Sequence, residues 1–167
     1  MSGDSQAAGG WTPPTARERW EIIRSSRTVA MLGASDNRSR PSFFVATYLL
    51  SSSTDFDAVW FINPKGGEIL GQPVYKSLDD LPGVPDLVDV FRKPADLPQV
   101  TQEAIDIGAK TVWFQLTLVN DEAAELGHAA GLNVVQNRCL KIEHARWAGG
   151  LHLAGFDTGV ISSKKRV

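Results

Sequence analysis

Cysteine is nearly absent from this 167-residue chain: Cys139 stands alone, which excludes a disulfide scaffold and a CxxC zinc site. Long apolar runs are missing too. The longest are about five residues, against the roughly 20 that a membrane-spanning helix needs. There is little net charge: 17 Lys and Arg against 19 Asp and Glu leave −2, which argues against a generally basic nucleic-acid binder. The opening MSGDSQAAGGWTPPTA has no basic residue and no apolar stretch, so no secretory signal or lipidation motif is read there. A cytoplasmic protein is the expectation, and a lone thiol suits that reducing compartment. No internal repeat is present.

What remains is ordinary: 43% hydrophobic and 22% charged residues, at a length that fits one domain. Residues 1–14, rich in Gly, Ser, Ala and Pro, read as a flexible lead-in. Thr15 opens a capping box with Glu18, and Ala16, Trp20 and Ile23 line one face, predicting a helix over 15–26. Short apolar runs then alternate with helical patterns. TVAMLG (28–33), AVWFIN (58–63), LVDVF (87–91), TVWFQ (111–115) and NVVQN (133–137) read as strands. Helices are expected over 41–50, over 95–107 with Gly108 as C-cap, from the Asn120 cap to Gly131, and over 139–148. Residues 64–81 are too short for a crossover helix and predict a small β excursion (68–75) and one helical turn near 77–81. The end, 149–167, lacks periodicity and reads as a mobile tail.

Buried-type strands separated by helices predict a single α/β domain over 15–148. It is a doubly wound, mostly parallel sheet of five strands or slightly more, with helices on both faces. In such sheets ligands sit outside the carboxyl ends of the strands, near the point where the winding reverses. Those ends carry Gly33-Ala34-Ser35, Asn63-Pro64-Lys65-Gly66-Gly67, Phe91-Arg92-Lys93, Gln115 and Asn137-Arg138-Cys139. Arg38, Arg40, Lys65, Arg92, Lys93 and Arg138 all follow predicted strands, a set suited to phosphate. The first loop is neither GxGxxG nor a P-loop, yet Gly33 permits close backbone approach and Ser35 and Ser39 can donate. Lys65 stands where a dinucleotide enzyme often has an acidic residue for ribose hydroxyls, so a phosphorylated ribose is favoured over a bare diol.

In VAMLGAS (29–35) with Arg40-Pro41-Ser42, INPKGGEILGQPVY (62–75) with SLDDLP (77–82), VDVFRKP (88–94), GAKTVWFQ (108–115) and AGLNVVQNRCLKIEHAR (130–146), the chain resembles the stand-alone coenzyme A-binding proteins. Their domain is similar to the N-terminal domain of the succinyl-CoA synthetase α subunit. The resemblance implies a Rossmann-like sheet with CoA or acyl-CoA at its carboxyl edge. By position, Gly33, Ala34, Ser35, Arg38 and Arg40, with Ser42 beyond them, would hold the pyrophosphate. Asn63, Pro64 and Lys65 would meet the 3′-phosphate end, Phe91, Arg92 and Lys93 would wall the adenine side, and Gln115 would lie along the pantetheine arm.

Catalytic groups are harder to place. His128 and His144 fall in helical patterns and His152 in the tail, and none has an evident acidic orienter. Asp79, Asp80 and Glu143 read as surface or cap groups, and no Ser–His–Asp set can be assembled. Cys139, at a helix start beside Arg138, has a setting that favours a thiolate, so a mixed disulfide with the CoA thiol is an open option beside an inert, half-buried thiol. A non-enzymatic CoA-binding module is the leading reading. A CoA-dependent enzyme component that needs a partner, and an NAD(P)-binding protein, are the alternatives.

Overall fold

The computed structural model describes residues 10–148. Five helices, α1 (Ala16–Ser25), α2 (Pro41–Leu49), α3 (Leu97–Ile107), α4 (Asp121–Ala129) and α5 (Leu140–Ala148), surround one sheet. Its strands are β1 (Thr28–Leu32), β2 (Ala58–Ile62), β3 (Glu68–Ile69), β4 (Gln72–Tyr75), β5 (Leu87–Val90), β6 (Thr111–Phe114) and β7 (Asn133–Val135). The spatial order is β3-β4-β2-β1-β5-β6-β7, parallel except for β3. The excursion foreseen in 68–75 is therefore part of the sheet, because β4 pairs with β2 at Phe61–Val74 and Ile62–Tyr75. This brings the sheet to seven strands. Winding reverses between β1 and β5, the two strands that neighbour each other at the centre.

Successive strand residues face opposite sides, and this splits the core in two. Val29, Met31, Leu87, Trp113 and Val135 join Ile23, Val45, Leu49 and Leu140 from α1, α2 and α5. Ala30, Leu32, Val88, Val90, Val112 and Phe114 join Leu97, Val100, Ala104 and Ala123 from α3 and α4. Burying each large side chain stabilises the fold by roughly 1.5–3 kcal/mol. α1 begins as its sequence dictates. Glu18 N–H donates to Thr15 Oγ1 (3.1 Å) and Thr15 N–H to Glu18 Oε1 (2.8 Å).

Two expectations need correction. Glu143 is not a surface or cap group. It is buried, and Arg19 Nε donates to its Oε1 at 2.7 Å, joining α1 to α5. Nor is the lead-in loose in its last residues. Trp11 N–H donates to the Glu125 carboxylate (3.0 Å) and Trp11 Nε1 to Val134 O (2.9 Å), so this segment covers the outer edge of β7. Residues 1–9 and the expected tail, 149–167 with His152, lie outside the described residues.

The first face carries an unusual polar load. His144 is buried among Trp20, Tyr48 and Phe56, with Tyr48 Oη 2.8 Å from its Nδ1. Burial lowers the His144 pKa and lifts that of Tyr48 to about 12. Asp89, on β5 beside Met31 and Trp113, is wholly buried and neither carboxyl oxygen has a hydrogen-bond partner. Burial pushes its pKa well above the usual carboxyl value, favouring the neutral acid. Among the described residues no helix is long and apolar enough to cross a membrane.

Candidate functional site at the carboxyl edge

The central crevice is built by backbone contact. Gly33 follows β1 with φ +93°, and its N–H, like that of Ala34, donates to Ile62 O (3.0 and 3.2 Å). A Cβ at Gly33 would lie 2.3 Å from Phe91 O, so only glycine lets the β1 turn pass this close to the end of β5. Phe91 N–H donates to Leu32 O at 2.8 Å, locking the two turns together across the winding reversal.

The second loop is fastened to the first by Asn63. Its Nδ2 donates to Ala34 O (2.8 Å), and its Oδ1 accepts Lys65 N–H (2.9 Å). One side chain thus sets the β1 turn and aims the turn that holds Pro64 and Lys65. Pro64 and Lys65 are exposed, while Ala34 is buried and contributes backbone rather than side chain.

The loop from Ser35 to Arg40 is tied internally. Ser35 Oγ accepts Asn37 N–H (3.0 Å), Asn37 Oδ1 accepts Ser39 N–H and Oγ–H (2.9 and 2.7 Å), and Ser42 Oγ accepts Ser35 N–H (3.1 Å). Ser42 is buried and shapes the loop from beneath. Ser35 keeps its own hydroxyl proton to donate. α2 then starts at Pro41 with no side-chain cap from Arg40 and no acidic residue in its first turn. Its positive end therefore has no compensating side chain in the first turn. Arg38 and Arg40 are exposed, and Arg38 lies 5.9 Å over the Phe43 ring.

Across the crevice Phe91 is half-buried, and Arg92 and Lys93 are exposed. Arg92 Nη2 lies 3.3 Å from Asp96 Oδ2, a partner that is itself 40% exposed. Gln115, just past β6, is buried, and its Oε1 has no hydrogen-bond partner. A buried acceptor without a partner is uncommon in a folded chain. Cys139 sits less openly than its position suggests. Its thiol belongs to the core cluster with Met31, Trp113 and Leu140, and its carbonyl accepts Glu143 N–H at 2.9 Å. Arg138 next to it is exposed, and its carbonyl accepts Trp113 Nε1–H at 2.9 Å.

The fold thus brings Gly33 against Phe91 and Arg92 and ties Ala34 to Asn63, while Ser35, Arg38, Arg40, Lys65, Lys93 and Gln115 follow strands at the same carboxyl edge. Ser42 and Cys139 lie beneath it. Lys76, which follows β4 and shares this edge, was not among the expected residues, because β4 was not read as a strand of the main sheet. Two clefts, of about 460 and 360 Å³, lie along α2–β2 and α1–α5. Neither includes Gly33, Lys65, Arg92 or Gln115. Among the described residues no cluster of His, Cys, Asp and Glu could hold a metal ion.

A mostly parallel, doubly wound sheet with helices on both faces defines the class of Rossmann-like α/β domains. Within that class, residues 27–145 match the family model of the CoA binding domain, and the chain belongs to that family. It is 33% identical to the protein YneT of Bacillus subtilis (strain 168) over 132 residues, 79% of this chain and 96% of that one. A solved Pyrococcus horikoshii OT3 protein is 37% identical, with a TM-score of 0.74, over 81% of this chain and 96% of that one. The acetyl-coenzyme A synthetase 1 of Ca. Korarchaeum cryptofilum shares the fold, at 22% identity and a TM-score of 0.58. That match covers 65% of this chain and 25% of the synthetase.

Proposed function

We propose that this protein holds CoA or an acyl-CoA across its carboxyl edge, without catalysis of its own. The observation that carries the reading is the coupled pair of turns. Gly33 and Asn63 fix a backbone crevice at the winding reversal, and Lys65, Arg38 and Arg40 stand around it with no carboxylate partner among the described residues. In this reading the pyrophosphate lies against Gly33, Ser35 and the start of α2, with Arg38 and Arg40 as mobile counter-charges. Lys65 faces the ribose 3′-phosphate, Phe91 with Arg92 and Lys93 walls the adenine, and Gln115 Oε1 accepts an amide N–H of the pantetheine arm. Among the described residues Arg38, Arg40, Lys65 and Lys93 have no ion-pair partner and Gln115 Oε1 no hydrogen-bond partner, whereas Arg92 would have to leave Asp96. Cys139 contributes apolar surface beneath the site; a mixed disulfide with CoA would require its thiol to turn out of the core.

An NAD-type dinucleotide suits the site less well, since an acidic residue at the end of β2 would bind a bare ribose diol and Lys65 stands there instead. A CoA-dependent enzyme component is the second reading, supported by the fold shared with the acetyl-coenzyme A synthetase. Titration with CoA, acetyl-CoA, NAD and NADP, followed by tryptophan fluorescence, tests the proposal. Saturable binding of CoA or acetyl-CoA, tighter than NAD, is the expected result. Binding of NAD with no response to CoA would overturn it.

A further inference from the structure

The structure points to a second lysine beside the first. β2 and β4 end in register at Ile62 and Tyr75, and Asn63 N–H donates to Tyr75 O at 2.9 Å. Lys76 therefore leaves β4 alongside the Asn63–Gly66 turn, which Gly66 N–H closes on Asn63 O (2.9 Å). Gly66 has φ +67°, and a Cβ there would lie 3.2 Å from Lys76 Cε and 3.7 Å from Lys76 Cγ. The arm of Lys76 thus lies across the bare backbone of Gly66, the residue that follows Lys65 in the turn. Both lysines are exposed, and among the described residues neither makes an ion pair.

Two lysines that leave neighbouring strand ends repel each other wherever their ammonium groups approach, and an anion between them relieves this. Elsewhere the fold pairs its cations where carboxylates are near, as at Arg27 and Lys110. A phosphomonoester, with a charge of about −1.5 to −2 at neutral pH and three acceptor oxygens, can take donors from both lysines at once. A ribose hydroxyl or an internal pyrophosphate link cannot offer that charge at this end of the ligand. We propose that Lys65 and Lys76 form a two-armed clamp for the terminal 3′-phosphate of an adenosine nucleotide, and that Gly66 is glycine so that the second arm can cross. This inference rests on the CoA reading and adds selectivity to it: the clamp makes the site a reader of 3′-phosphorylation. Adenosine 3′,5′-bisphosphate, which lacks the pantetheine arm, should then compete for the site where ADP does not.

The test compares CoA with dephospho-CoA on the unaltered chain and on Lys76→Ala, Lys76→Arg and Gly66→Ala, by calorimetric titration at low and moderate salt. Lys76→Ala should weaken CoA roughly three- to tenfold at low salt and leave dephospho-CoA unchanged. Lys76→Arg should retain most of the affinity, and Gly66→Ala should lower the preference for CoA by displacing the arm. Lys76 is exposed, so the variants are expected to fold, which circular dichroism checks. Equal affinities of the unaltered chain and Lys76→Ala for CoA would overturn the clamp and leave the CoA reading standing. Failure of the unaltered chain to bind CoA would overturn both.

Discussion

The two ends of the sheet treat charge in opposite ways. At the amino end, Arg27 reaches Asp57 Oδ1 at 2.8 Å and Asp55 O at 2.9 Å, and Asp86 accepts the N–H groups of Arg27 and Thr28 (2.7 and 3.2 Å). Lys110 Nζ lies 3.8 Å from Asp86 Oδ1. Charges there close the loops on one another. At the carboxyl end Arg92 alone is paired, with Asp96 at 3.3 Å; Arg38, Arg40, Lys65, Lys76, Lys93 and Arg138 have no such partner among the described residues, and the start of α2 carries no acid. One end is satisfied within the chain. The other leaves most of its cations without an ion-pair partner among the described residues, a local asymmetry that the near-neutral total hides.

The largest effect should come from the backbone of the carboxyl end. Gly33→Ala places a Cβ 2.3 Å from Phe91 O at a left-handed φ. It should cost about 3 kcal/mol or more of stability, read from the urea midpoint, and abolish CoA binding. A stable variant that still binds would mean the two turns are not locked as described.

Next is the group beneath that edge. Burial raises the Asp89 pKa, so the folded chain gives up this proton at a higher pH than the unfolded one. Stability should therefore fall as pH rises from the ordinary carboxyl range near pH 4 toward the raised folded value. Asp89→Asn removes that slope and should stabilise the protein at neutral pH by about 2 kcal/mol. Parallel melting-temperature profiles for the two proteins across pH 4–8 would contradict the buried neutral acid.

Replacing Arg38 and Arg40 together by Ala should lower CoA affinity roughly tenfold, more at low salt than at high, with the melting temperature unchanged. The smallest effect belongs to the amino end. Arg27 holds the Asp57 carboxyl below its usual pKa through their hydrogen bond, so the pair stabilises above the ordinary carboxyl range and the gain fades as pH falls through the lowered value. Both groups are solvent-exposed, and Arg27→Ala should shift the melting temperature least of the series and leave CoA affinity intact. A loss of affinity there would break the contrast between the two ends.

Local chemistry made much of this legible in advance. Thr15 and Glu18 announced the first helix because a capping box involves residues three apart. The strand cores were legible because short β-branched runs bounded by Gly, Asn and Asp have few other uses. The places of Gly33 and Lys65 just past β1 and β2 were legible because those two strands were. The missed features are all long-range. The Arg19–Glu143 pair joins residues 124 apart, and Glu143 taken alone looks like any helix-surface acid. Trp11 is anchored by Glu125 and Val134, whose positions depend on α4 and β7 being in place. Strand β4 carries Pro73 and is four residues long, so its union with β2 could not be told from a free hairpin.

The sequence by itself determined the alternation of strands and helices, hence a parallel doubly wound sheet, and which residues would follow each strand. Those follow from periodicity, caps and turn residues, which act over a few positions. Only the tertiary structure decided which of those residues meet. Asn63 reaching Ala34, Gly33 passing under Phe91 and Lys76 crossing Gly66 depend on strand order and register, and these are set by burying both faces of the sheet at once.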